Sequence, residues 1–81
     1  MKKTTIRYYE GSTQFYIISS PNEIKELNKY VLNTFKHKCA TKKKIEGELW
    51  AEVFENDKSV RRFIYNPKLG LRVFLTQEIS K

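Results

Sequence analysis

Apolar and polar positions alternate with a period of two at both ends of the chain and follow a helical period in between. Thr4 to Tyr9 and Gln14 to Ser19 are rich in β-branched and aromatic residues, and Glu10-Gly11-Ser12-Thr13 separates them, which reads as a hairpin. A two-residue Gly11-Ser12 turn with glycine first suits type II′ and pairs Glu10 with Thr13. That register sets Tyr8 against Phe15 and Ile6 against Ile17 on one face, and Arg7 against Tyr16 and Thr5 against Ile18 on the other.

Ser20-Pro21-Asn22-Glu23 has the form of a capping box, with Ser at the N-cap, Pro at the first helical position and Glu at the third. Ile24, Leu27, Val31 and Phe35 then fall on one stripe, with Leu32 and Cys39 at its edge, which predicts a helix over 21–38. Continuing past Lys38 would push a charge into the apolar face, so the helix is expected to end near His37 to Cys39.

The remainder reads as a three-stranded meander over 45–79. In Ile45 to Phe54, Ile45, Gly47, Leu49, Ala51 and Val53 alternate with Glu46, Glu48, Trp50, Glu52 and Phe54. A turn at Glu55 to Lys58 would pair Val53 with Val60, Glu52 with Arg61 and Trp50 with Phe63. A second turn through Pro67 to Gly70 would set Phe63 against Phe74, Ile64 against Val73 and Tyr65 against Arg72. An aliphatic row, Leu49–Ile64–Val73, would then occupy one face and an aromatic row, Trp50–Phe63–Phe74, the other. The expected fold is α+β: an antiparallel sheet of about five strands in the order β-β-α-β-β-β, with one helix packed on one face. The whole of 1–81 is expected to be a single domain, with the hairpin at 4–19.

Composition narrows the function. With 81 residues the chain has room for one small core, and 14% aromatic residues help to fill it. No apolar run is long enough for a membrane span, and no apolar stretch follows Lys2-Lys3 as a signal peptide requires. The lone Cys39 excludes a disulfide framework within the chain, and together these features point to a cytoplasmic protein. The formal charge is +7 and is laid out in blocks. No acid lies between Glu26 and Glu46, while Lys29, Lys36, Lys38, Lys42, Lys43 and Lys44 do. Glu46 to Asp57 holds five acids and no base, and Lys58 to Arg72 five bases and no acid.

Catalysis fits poorly. His37 sits alone among lysines, Cys39 has no base beside it, and neither has the further ligands a metal site needs. Glu46, Glu48 and Glu52 are spread too far along a strand for one cation and are better explained by cross-strand pairing with Arg61 and Arg72. The expectation is a non-enzymatic protein with no metal and no cofactor.

Binding fits better. Lys25, Lys29 and Lys36 on a helix flank, continued by Lys38 and Lys42, Lys43 and Lys44, suit a sequence-tolerant binder of RNA or DNA that contacts phosphates. The alternative is an inhibitor or adaptor that docks on a host protein through an exposed aromatic sheet face. Its candidate residues are Trp50, Phe63, Phe74, Tyr65, Arg61 and Arg72. The same aromatic row suits base stacking, or burial as core should the sheet curl. A third reading is a metal-independent RNase toxin using Arg61, Arg62, Tyr65 and Lys68. The size, the Lys-rich composition and the lack of an enzymatic motif have the general look of small phage or mobile-element proteins, which often act by occupying a host protein.

Overall fold

The computed structural model describes residues 3–22, 24–41 and 44–76. Two antiparallel strands come first, β1 (Thr4–Glu10) and β2 (Thr13–Ser20), then the helix α1 (Leu27–Thr41), then β3 (Leu49–Glu55), β4 (Lys58–Asn66) and β5 (Gly70–Leu75). They form one antiparallel sheet in the order β2-β1-β3-β4-β5, with the helix against one face, so the fold is α+β. The first strand is therefore central, paired with β2 on one side and β3 on the other.

Gly11 takes a φ of 63° and the expected Glu10–Thr13 pair closes the first hairpin. One residue further on the register slips. Phe15 is the extra residue of a bulge, so Tyr8 faces Tyr16, Arg7 faces Ile17 and Ile6 faces Ile18. A second bulge leaves Val60 unpaired, and Val53 faces Arg61, Glu52 faces Arg62 and Ala51 faces Phe63. The last hairpin closes on Asn66 and Gly70, which sets Phe63 against Val73, Ile64 against Arg72 and Arg62 against Phe74. Because side chains alternate strictly in a strand, a one-residue slip exchanges the two faces. The predicted rows are corrected accordingly. Phe63, Tyr65 and Arg61 point to the helix side, whereas Trp50, Arg72 and Phe74 stand on the opposite face.

The helix begins six residues after the predicted Pro21. Asn22 donates its N–H to Ser20 Oγ at 3.2 Å, the bond an N-cap makes, but this turn is not continued as helix. Glu26, at a φ of 52°, is left-handed and bars a helix from running through it. Glu23, the other half of the predicted box, lies outside the described residues. At the far end the helix runs to Thr41 because Lys38 is not left bare in the apolar face. Its Nζ sits 3.6 Å from Glu10 Oε1 and 4.2 Å above the Phe15 ring. Thr41 Oγ1 then donates to the carbonyls of His37 and Lys38, satisfying acceptors at the helix end.

Ile6, Tyr8, Val31, Phe35, Leu49, Ala51, Val53, Phe63 and Tyr65 form the core between helix and sheet. Phe35 lies parallel to Tyr65 with centroids 5.4 Å apart and edge-on to Tyr8 at the same distance. Burial pushes the Tyr8 phenol from 10.0 up to about 12, partly offset by its hydrogen bond to Thr34 Oγ1. Between those two pH values the folded chain keeps a proton that the unfolded chain releases. Stability is thus expected to fall as pH rises through that window, by on the order of 2 kcal/mol. Denaturant melts of wild type and Tyr8→Phe at pH 9 and at pH above the window would show the drop in wild type and a smaller one in the variant.

The strand predicted from Ile45 starts only at Leu49, since Gly47 turns the chain at a φ of 92°. A Cβ on Gly47 would lie 2.9 Å from Gly11 Cα, so two glycines allow the first turn to rest against the entry to β3. Around this contact Gly11 N–H donates to Glu48 O at 2.8 Å and Glu46 N–H to Glu10 Oε2 at 2.7 Å. Gly47→Ala is expected to lose about 2–3 kcal/mol from backbone strain and this clash, read as a lowered urea midpoint.

Candidate nucleic-acid interface

Whereas the helix covers β1, β3 and β4 on one side, no described element covers the other side of the sheet. Alternation along each strand decides what stands there. Thr5, Arg7 and Tyr9 from β1 meet Phe54, Glu52 and Trp50 from β3. Beyond β3 come Arg62 and Ile64 from β4, then Phe74 and Arg72 from β5. The face holds three of the four arginines in the chain, and Glu52 is its one acid among the described strand residues.

These side chains brace one another. Tyr9 and Trp50 stack with centroids 4.1 Å apart and planes 9° from parallel. Trp50 donates its indole N–H to Gly11 O at 2.8 Å, which locks the ring to the first turn. The Arg62 guanidinium lies 5.1 Å from the Trp50 centroid and 3.8 Å from Glu52 Oε1. Glu52 also accepts a hydrogen bond from Ser59 at 2.6 Å, so its charge is answered twice. Arg7 sits 5.6 Å over the Phe54 ring and donates to Gln14 Oε1 at 3.2 Å. Phe74 remains 46% exposed, and Arg72 projects beside it. Guanidinium planes held against rings can present both charge and a flat surface, as a phosphate and an unstacked base require.

The predicted lysine patch is arranged differently from its reading in the sequence. Lys29 and Lys36 share an exposed helix flank, but Lys25 lies in the turn before the helix. Lys38 is engaged by Glu10 and Phe15, and Lys29 lies 3.8 Å from Glu26 in an exposed pair of little energetic weight. Lys44 is exposed, while Lys42 and Lys43 lie outside the described residues. Of the predicted patch, Lys25, Lys29 and Lys36 lie on the helix side, behind the arginine face.

Of the residues considered for an aromatic face, Trp50, Phe74 and Arg72 come together. Phe63 and Tyr65 are core, and Arg61 turns inward with its Nε enclosed. The same inward turn separates Arg61 and Tyr65 from Arg62, which takes apart the set considered for an RNase. His37 is exposed and Cys39 half-buried against the core. Among the described residues no three His, Cys, Asp or Glu side chains come together as a metal site requires. No described helix is long and apolar enough to cross a membrane.

The sequence reading did not single out Arg7, Tyr9 or Phe54 for this face. Their signal was the polar–aromatic alternation of β1 and β3, but it acquires meaning only once those two strands are known to be neighbours. No protein-family model, curated protein or solved structure matches the chain.

Proposed function

We propose that this is a non-enzymatic protein that binds single-stranded nucleic acid, with little sequence preference, on the open face of its sheet. The observation that carries this reading is the set of Arg7, Arg62 and Arg72 standing among Tyr9, Trp50, Phe54 and Phe74, on a face whose one acid among the described strand residues, Glu52, is already paired, with Glu48 and Asp57 only at its borders beside Arg72 and Arg7. The arginines would hold phosphates, and Phe74 and the outer ring of the Tyr9–Trp50 stack would receive bases. Trp50 itself, flanked by Tyr9 and Arg62, serves as the fixed centre of the face rather than as a free stacking ring. The lysines of the helix side add long-range attraction for a polyanion.

Fluorescence anisotropy of a labelled single-stranded oligonucleotide, measured at several salt concentrations, tests this. Three phosphates neutralised on a single strand give a log–log slope of about −2. Absence of binding at low salt, or affinity independent of salt, would sink the reading.

A second reading, docking on a host protein, is favoured by one observation. A Trp–Tyr–Arg cluster with ordered partners is the usual make-up of a binding hot spot. On that reading Phe74→Ala abolishes capture of one protein that survives nuclease treatment, and oligonucleotides do not compete with it.

A further inference from the structure

The sheet has two edges, and they are treated differently. β2 carries a bulge at Phe15, a feature that discourages pairing with another strand. β5 has no bulge, no proline and a single charge, Arg72, in Gly70–Leu75. It is also apolar on both faces: Leu75 is 72% exposed, Phe74 46% and Val73 40%, because the helix does not reach this far across the sheet. An edge of this kind is a template for a further strand.

Which strand fits follows from the backbone and the side chains together. Thr76 N–H donates to Val60 O, so N–H and C=O groups point toward β4 at Thr76, Phe74 and Arg72. Those of Leu71, Val73 and Leu75 therefore point outward. We infer that β5 pairs antiparallel with β5 of a second copy of this chain, about a two-fold axis through Val73, to form a dimer with a continuous sheet.

The register is self-complementary. Val73 faces the partner's Val73, and Leu71 faces the partner's Leu75 and the reverse, so all the outward backbone groups of these residues find donors or acceptors. On the open face Arg72 meets the partner's Phe74, a guanidinium against a ring, and no like charges are opposed. Centring the axis on Arg72 would place two arginines face to face. Centring it between residues would turn the open face of one copy into the helix side of the other. A two-fold contact needs a patch that complements itself, and this strand supplies one. The proposal does not depend on nucleic acid, although it would set two arginine faces side by side.

The experiment uses the purified chain with no nucleic acid. Sedimentation equilibrium is expected to show a concentration-dependent rise from 9.7 kDa toward twice that mass. Amide exchange is expected to slow with concentration at Leu71, Val73 and Leu75, with Arg72 and Phe74 protected at every concentration. Leu75→Lys alters an exposed side chain and leaves the core intact, and it should hold the chain at monomer mass with the melting temperature of the dilute, monomeric wild type. A chain that stays monomeric at high concentration overturns the proposal. So does a dimer whose Leu71, Val73 and Leu75 amides exchange at the same rate at all concentrations, since that dimer uses another surface.

Discussion

Replacing Phe35 by alanine is expected to cost about 3–5 kcal/mol, the largest effect of any single substitution considered. The helix is fastened to the sheet through few side chains. Val31 and Phe35 are its only fully buried residues among those described, and Phe35 is the larger. Its ring fills the space between Tyr65, on which it lies nearly flat, and Tyr8, which meets it edge-on. Alanine would remove both aromatic contacts and leave a cavity lined by two rigid rings from different strands, which have little freedom to close over it. A domain of this size has a total stability of roughly 4–12 kcal/mol. Phe35→Ala should therefore lose a large share of its stability, with circular dichroism in urea showing a strongly lowered midpoint. Phe74→Ala, on the open face, should lower the stability by less than about 1 kcal/mol. Similar losses in the two variants would mean that the helix is not held as described.

The largest expected effect on binding comes from removing the arginines of the open face together. Each charge-assisted contact with a phosphate contributes about 1.5 kcal/mol or more, and such contacts are not fully additive. Arg7→Ala/Arg62→Ala/Arg72→Ala is expected to weaken single-strand binding about 100-fold. It should also flatten the salt dependence, since the phosphates it released counterions from are no longer engaged. The fold should survive, because these guanidinium–ring contacts are worth only about 0.5–1 kcal/mol each at exposed sites. The comparison variant is Lys29→Ala/Lys36→Ala/Lys44→Ala on the helix side, expected to change affinity only about threefold through the long-range field. A reversed ranking would move the binding site to the helix flank.

Much of the fold was legible in the sequence. The glycine-led turn at Gly11-Ser12 fixes the first hairpin, the Val31–Phe35 spacing marks the buried helix face, and the alternation through Leu49 to Phe54 puts Trp50 opposite the core. The faces of β4 were not legible. A bulge adds one residue at a position where valine or phenylalanine also suits a regular strand, so Phe15 and Val60 gave no local sign of being extra. The slip at Val60 exchanged Arg61 for Arg62 beside Glu52 and sent Phe63 into the core. A second slip at the Asn66–Gly70 hairpin returned Phe74 to the face shared with Trp50. The helix start was hidden for a different reason: Ser20 Oγ accepts the Asn22 N–H as a cap would, but the chain passes through a left-handed Glu26 before the helix begins at Leu27.

The candidate face was only half legible because it depends on a long-range pairing. Trp50, Phe74 and Arg72 could be grouped from local hairpin registers, whereas Arg7 and Tyr9 join them through the pairing of β1 with β3, between segments separated by the whole helix. The total charge was also a poor guide to the site. Lysine dominates the count, yet the arginines, fewer in number, are the cations gathered on an open face with aromatic partners.

Trp50 is the only tryptophan in the chain and stands at the centre of that face, stacked on Tyr9 with Arg62 beside it. Its intrinsic fluorescence during titration with an unlabelled single-stranded oligonucleotide therefore reports the proposed site without any modification of the protein. The expected result is a saturable change in Trp50 emission that follows the anisotropy isotherm and disappears in the Arg7/Arg62/Arg72→Ala variant. Binding by anisotropy with Trp50 emission unchanged would contradict the assignment, because the nucleic acid would then be held elsewhere.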